Sequence, residues 1–294
     1  MVGTALAAPE FRDLWKSLCA LLAAVFVQVA CNFFNDAIDF KKGADNEQRL
    51  GPRRLTQSGR VSAQKVLRVG LLFSVLAFIA AAPLLLTMRL ELWIIAGLSL
   101  AFSYLYTGGP FPLAYNGLGE LFVLVFFGFV AVFGTYFLYL PQGTESGSAF
   151  VSKLAFWDLS VASLQVGLLA TVLISINNLR DFETDKVAGK RTLVVLLGES
   201  YGRIQIVAAL LLALSLSLYW VSRALYLPLV AVFVLVPVWT TLLRGVLRNK
   251  VGSKWNDFLV LSAQVHVLYG LSLAIGLALW RYERLFVNWI LQHL

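Results

Sequence analysis

Two stretches of the 294-residue chain carry side chains whose types and spacing suit metal and phosphate chemistry. The first is NDAIDFKKGAD, Asn35 to Asp45, and the second is NNLRDFETDKVAGKRTL, Asn177 to Leu193. Continued as helices, they place Asp36 and Asp39 on one face at i and i+3. Asn178, Asp181 and Asp185 share another face at i, i+3 and i+7. Carboxylates at a helix C-terminus oppose the macrodipole, at about 0.3–1 kcal/mol each before desolvation, so two such clusters need cations between them. Carboxylate and carboxamide oxygens are hard ligands that suit Mg2+, which keeps several waters and binds through one or two carboxylates plus phosphate oxygens. Asp36, Asp39, Asp45, Asn178, Asp181 and Asp185 are therefore the candidate metal ligands. Asp45 lies past Gly43, where the helix is expected to have ended, so its direction is open.

Arg49, Arg53, Arg54, Lys190 and Arg191 follow directly on the acids, where they can hold the far side of a diphosphate. The planar guanidinium fork pairs well with phosphate oxygens. Gly43, Gly51 and Gly189 let the loops close over such an anion. For either loop alone the plainer reading is a solvated segment in which acids and bases neutralise one another. Two matched loops weaken that reading. Aligning Asp36 with Asn178 brings Asp39 onto Asp181, each followed by Phe, in the manner of an internal duplication, although eleven residues are slight support for one.

The elements that must position these loops are membrane helices. The chain is 59% hydrophobic and 14% charged, well short of the quarter charged usual in soluble domains. Eight apolar runs are long enough to cross a bilayer as helices: 17–37, 64–87, 91–108, 117–140, 158–178, 201–222, 225–245 and 256–280. No alternating ten-residue pattern of barrel strands occurs, so the expected fold is an all-α polytopic transmembrane bundle, a single domain over 1–294. The net charge of +8 would suggest nucleic acid in a soluble protein. Here most of the 24 Lys and Arg fall in the loops on the side where span 17–37 ends, which the positive-inside rule assigns to the cytoplasm. A lipid bilayer rather than nucleic acid is the expected partner, and no obligate protein partner is evident.

Other positions are less specific. Cys19 and Cys31 are twelve residues apart on one expected helix and cannot pair. Glu120 opens a span in GLGE, where an acid is often simple dipole compensation. His266 is the one mid-span ionisable candidate, with Gln264 and Tyr269 near it, and a neutral hydrogen-bonded imidazole is at least as natural as a functional one. Tyr104, Tyr106 and Tyr115 flank YTGGPFPLAY, as interfacial belt residues or as the wall of a pocket.

Four segments resemble the UbiA superfamily of intramembrane aromatic prenyltransferases, in particular its branch acting on 1,4-dihydroxy-2-naphthoate in menaquinone synthesis. They are NFFNDAIDFKKGAD, RLGPRRLTQSG, YTGGPFPLAYNGLGELFVLVFFG and INNLRDFETDKVAGKRTLVVLLGE. The resemblance implies nine helices with Mg2+ and a polyprenyl diphosphate bound at two aspartate motifs. It also implies a bacterial inner-membrane location with the active-site loops in the cytoplasm. By position it makes Asp36, Asp39, Asp181 and Asp185 catalytic and Arg49, Arg54, Lys190 and Arg191 diphosphate-binding, with Asn32, Tyr106, Tyr115 and Glu120 as possible substrate-pocket residues. VGTALA looks like the end of the family's first helix, whose start is then absent from this chain. A sister enzyme acting on 4-hydroxybenzoate or homogentisate would share the diphosphate site. A cation transporter would place ionisable groups at mid-membrane, whereas here the acids gather at one interface.

Overall fold

A computed structural model of the chain describes residues 1–7, 11–86, 90–140 and 153–293, with the helix of 281–293 described by its backbone alone. The expected outer loop 141–157 lies mostly outside the described residues. Among the described residues the architecture is all helical, with one isolated parallel bridge between Asn116 and Arg191.

The apolar runs form the helices anticipated for them. In chain order these are α1 (Val2–Ala7), α2 (Leu14–Lys41), α3 (Ala63–Leu85), α4 (Leu90–Leu105), α5 (Gly119–Val123), a π-helical segment Leu124–Val130 and α6 (Ala131–Phe137). There follow α7 (Lys153–Arg180), α8 (Phe182–Val187), α9 (Leu193–Leu197), α10 (Glu199–Ser215), α11 (Ser217–Ser222), α12 (Leu227–Val234), α13 (Val236–Arg248) and α14 (Trp255–His293). Six stretches are long and apolar enough to span: Leu14–Lys41, Ala63–Leu85, Gly119–Phe137, Ala155–Arg180, Glu199–Ser222 and Trp255–Trp280. The other two expected spans depart from a plain crossing. The 91–108 run yields α4, only 16 residues long. The 225–245 run breaks into α12 and α13, bent by 57° at Leu235. Pro237, in the first turn of α13, lacks an N–H and its ring excludes the carbonyl one turn earlier, which accounts for the break.

α7 is the centre of the bundle. It packs on α10, α14 and the π-helical segment, and two-thirds of its apolar span is buried. The crossing with the π-helical segment is close because Gly128 faces Gly167; a Cβ on Gly167 would stand 2.6 Å from the Leu124 carbonyl oxygen. Along α7, Gln165 and Asp158 find partners on the neighbouring helices, as a water-poor interior favours, while the Ser163 and Ser175 hydroxyls are buried without one. Gln165 donates to the Ala213 carbonyl (3.0 Å) and the Tyr269 hydroxyl (2.5 Å), and accepts from the Trp220 indole (2.6 Å). At the N-terminal end of α7, Asp158 accepts from the Tyr219 hydroxyl (2.6 Å) and pairs with Arg223 through both oxygens (3.0 Å each). These bonds fix α7 in register against α10, α11 and α14, which holds its C-terminal end, the end that carries the second acidic motif.

α2 lies along α3, with Gly70 leaving room for the Phe34 ring. α1 is helical and buried, packed on α14 and α6. Cys19 and Cys31 are both free thiols. The Tyr269 hydroxyl bonds to Gln165 and Ser217 (2.6 Å) rather than to His266.

Candidate active site

α2 runs through its acidic motif to Lys41, so Asp36 and Asp39 do share a helical face, and both are buried. Gly43 then ends the helix with φ +77°, a conformation that favours glycine because it has no Cβ. The chain turns back so that the Asp45 N–H meets the Asp39 carbonyl at 3.4 Å, and the Asp45 carboxylate is buried beside the helix end.

The second motif departs from the expected single helix. α7 stops at Arg180, Asp181 stands at the break, and Asp185 belongs to the short α8. Thr184 donates its hydroxyl to the Asp181 carbonyl at 2.9 Å, a side-chain competitor for the helical ladder that accounts for an interruption here. All of Asn178, Asp181 and Asp185 remain buried.

Each candidate ligand has a distinct set of partners. The Asp36 carboxylate accepts the Leu55 N–H (3.0 Å), the Thr56 N–H (3.3 Å) and the Thr56 hydroxyl, so both of its oxygens hold down the loop that follows. Asp181 is gripped through both oxygens by Arg180, at 2.8 and 2.6 Å. Asn178 donates to Glu120 at 2.9 Å, which ties the first turn of α5 to the second motif. The remaining three face cations. Asp45 pairs with Arg49 and with Arg54 Nε (2.8 Å), while Arg54 also reaches to 3.9 Å from Asp39. Asp185 lies 3.4 Å from Lys190 Nζ.

Tyr115 joins the two motifs. Its hydroxyl donates to Asp39 at 2.8 Å. Lys42 from the first loop lies 4.0 Å from its ring centroid and Lys190 from the second lies 5.7 Å away, within the range of a cation–π contact. The Tyr115 carbonyl accepts the Arg191 N–H at 3.2 Å. The Arg191 side chain itself is exposed, as is Arg53. Tyr106 is buried behind this loop, its ring 5.5 Å from that of Phe122, and the Asn32 side chain is exposed on α2, 3.5 Å from Gln28.

Burial dominates the electrostatics. It pushes the Asp185 carboxyl up to about 6 against the pull of Lys190, and Asp181 and Asp39 add to the rise. Burial likewise raises Asp45 although Arg54 and Arg49 oppose it. Lys190 loses hydration too, but Asp185, Asp39 and Asp181 together outweigh that loss and hold it above the ordinary lysine value. Tyr115 is driven upward by burial and by the negative charge of Asp39, so it is a phenol and a donor.

Among the described residues no three His, Cys, Asp or Glu side chains stand close enough to hold a metal on their own. The donor set fits Mg2+ in another way. Asp185 Oδ2 is buried and has no hydrogen-bond partner, an oxygen left open beside Asp39, and Mg2+ takes one or two carboxylates when phosphate and water complete its shell. Four participants were not singled out by sequence: Lys42, Thr56, Arg180 and Asn256. Only Arg180 left a trace, as a charge placed before an aspartate at the end of an apolar helix.

A membrane-embedded helical bundle with carboxylates and cations from two loops converging at one end defines a class, that of proteins handling an anionic head group at the bilayer surface. The UbiA prenyltransferase family profile matches residues 1–266, and the chain belongs to that family. It is 35% identical over 286 residues to the 1,4-dihydroxy-2-naphthoate octaprenyltransferase of Haemophilus influenzae, covering 90% of this chain and 86% of that protein. The enzyme of the same name from Bacillus subtilis is 28% identical over 283 residues, covering 94% and 86%. That from Escherichia coli is 37% identical over 210 residues, covering 69% and 64%. No solved structure matches the chain.

Proposed function

We propose that this protein transfers a polyprenyl group from polyprenyl diphosphate to 1,4-dihydroxy-2-naphthoate, releasing diphosphate and CO2 and yielding a demethylmenaquinol. The reading is carried by the convergence of Asp39, Asp45, Arg54, Asp185 and Lys190 around Tyr115, in a chain similar over nine-tenths of its length to a 1,4-dihydroxy-2-naphthoate octaprenyltransferase.

Arg49, Arg54 and Lys190 are the cations that meet the diphosphate, leaving their present carboxylate partners to do so. Arg191, exposed at the rim, adds to the positive field. Asp39, Asp45 and Asp185 would hold Mg2+, which when bound supplies Lewis-acid stabilisation of the leaving diphosphate. Asp36, Asn178 and Asp181 position these groups: Asp36 through the Thr56 loop, Asn178 through Glu120 and Asp181 through Arg180. The lipid-soluble tail extends into the apolar bundle, and the low-water interior protects the allylic cation left by C–O cleavage. Attack by the dihydroxynaphthoate ring forms the new C–C bond, and loss of the carboxylate as CO2 returns its bonding pair to the ring and restores aromaticity with no net loss of a proton. The site faces the cytoplasm of a bacterial inner membrane, as the loop cations favour.

The break between α12 and α13 is a feature shared with transporters, but residues 232–237 at the bend are all apolar and offer no side-chain ligand for an ion. The decisive experiment incubates membranes containing the protein with Mg2+, a polyprenyl diphosphate and each of 1,4-dihydroxy-2-naphthoate, 4-hydroxybenzoate and homogentisate, with products identified by mass. Decarboxylated, prenylated naphthoquinol is the expected product. A product from one of the other acceptors alone would reassign the substrate, and no prenylated product from any would overturn the activity.

A further inference from the structure

Arg180 is one of the largest fully buried side chains in the protein, at 2% exposure. A guanidinium out of water is costly unless its donors are satisfied. Four of its five N–H groups have partners. Nε and Nη2 grip Asp181 (2.8 and 2.6 Å), Nη2 also donates to Asn177 Oδ1 (2.8 Å), and Nη1 donates to Asn256 Oδ1 (2.9 Å). Asn256 stands in the first turn of α14, and its amide donates to the Leu50 carbonyl of the first loop at 2.9 Å. Gly51 comes so near that a Cβ there would lie 2.8 Å from Arg180 Nη2. One buried arginine thus touches the second motif, the last long helix and the first loop.

The matching position of the first motif sharpens the point. With Asp39 aligned on Asp181, Arg180 corresponds to Ile38, which packs with Ala30 and Phe34 in a small apolar cluster. The two halves are alike in their acids and unlike here, and the unlike residue is the one that crosses from one half to the other. Lysine could not replace it: a single ammonium cannot grip both oxygens of Asp181 while also reaching Asn256.

We propose that Arg180 is a positioning residue that locks the two acidic loops into one site, fixing Asp181 directly and the first loop through Asn256 and Leu50. It acts through other residues and does not itself meet the diphosphate. The loop it secures carries Arg49 and Arg54, so releasing the latch spreads the cations on which diphosphate affinity depends. This rests on the prenyl-transfer reading for its kinetic consequence, but the loop anchoring is measurable without any substrate.

Three variants test it in the full-length protein in detergent: Arg180→Lys, Asn256→Ala and Gly51→Ala. Trypsin cleavage after the exposed Arg53 reports on the first loop directly. Losing the Arg180–Asn256 bond, or forcing the Gly51 backbone away from the guanidinium, should make cleavage about tenfold faster in each folded variant. In steady state, KM for polyprenyl diphosphate should rise by about tenfold, while KM for the aromatic acceptor stays within about twofold. Merely lowered stability would cut the active fraction, and so kcat, without moving either KM. Asn256→Ala leaves the guanidinium paired with Asp181 and Gly51→Ala leaves Arg180 itself in place, so both remain informative if Arg180→Lys fails to fold. Wild-type cleavage rates in these two variants would overturn the latch whatever the enzyme's acceptor proves to be. Faster cleavage with an unchanged diphosphate KM would overturn its link to substrate.

Discussion

At the scale of single residues, the candidate site divides into groups that meet ligand and groups that hold them in place. Asp39 is shared by Tyr115 and Arg54, so Asp39→Ala removes a proposed metal ligand and leaves a phenol and a guanidinium without their anion. Asp181→Ala strips Arg180 of its bidentate partner in a buried setting. Each should lower turnover by at least about a hundredfold while the protein stays monodisperse in detergent, since charge stabilisation of this kind is worth several kcal/mol. Near-normal product formation in either would show that the acids are misassigned. Asp185 makes a separate prediction about pH. Its folded-state value near 6 lies above the ordinary carboxylate value of 3.8, so the folded protein binds this proton more tightly than the unfolded chain. Its cost is absent below pH 3.8, grows as pH rises to about 6, and is fully present above that. At neutral pH it amounts to on the order of 3 kcal/mol. In metal-free detergent solution the thermal midpoint should therefore fall across this window, and Asp185→Asn should flatten the fall while abolishing activity. An equal slope in wild type and variant would refute the assignment.

At the scale of elements, α7 carries the second motif and is the most deeply buried of the spanning helices among the described residues. Its close approach to the π-helical segment depends on two glycines, and a methyl group at Gly167 would press on the Leu124 carbonyl, which is backbone and cannot rotate away. Gly167→Ala should cost about 1–3 kcal/mol and lower the thermal midpoint measurably, with any loss of activity following the loss of folded protein. An unchanged midpoint would mean the crossing is looser than described. Phe126 of the π-helical segment also stacks on Phe122 of α5 (4.2 Å), and Phe102 packs against both. Interruption at Asp181 has the opposite value: by ending α7 there, the chain frees Asp185 to turn toward Lys190.

At the scale of the whole molecule, the bundle gathers both acidic motifs and their neighbouring cations at one end. The other end is closed by the Asp158–Arg223 pair beside Tyr219. That asymmetry suits a reaction joining a bilayer-soluble tail to water-soluble head groups. If the acidic end faces the cytoplasm, a cysteine replacing the exposed Arg53 should react with a membrane-impermeant maleimide in inverted vesicles and be protected in intact spheroplasts. Labelling in spheroplasts would reverse the orientation. Cys19 and Cys31, both half-buried on α2, give the background to be subtracted.

Much of this was legible in the chain alone, because the signals are local. Twenty-residue apolar runs must form helices where no water can satisfy a backbone, and acids grouped behind them with Gly43 and Arg54 nearby mark a site at a membrane surface. The paired motifs, their shared side and the family all follow from that pattern. Which acid does what does not follow. Asp36 and Asp39 differ by one helical turn, yet one is consumed by Thr56 and the other opens onto Tyr115 and Arg54. Asn178 and Glu120 meet across 58 positions, and Arg180 and Asn256 across 76. Those partners are set by the packing of α7 against α5 and α14. A carboxylate's role depends on what lies within about 3 Å of it, a distance that composition and spacing do not encode.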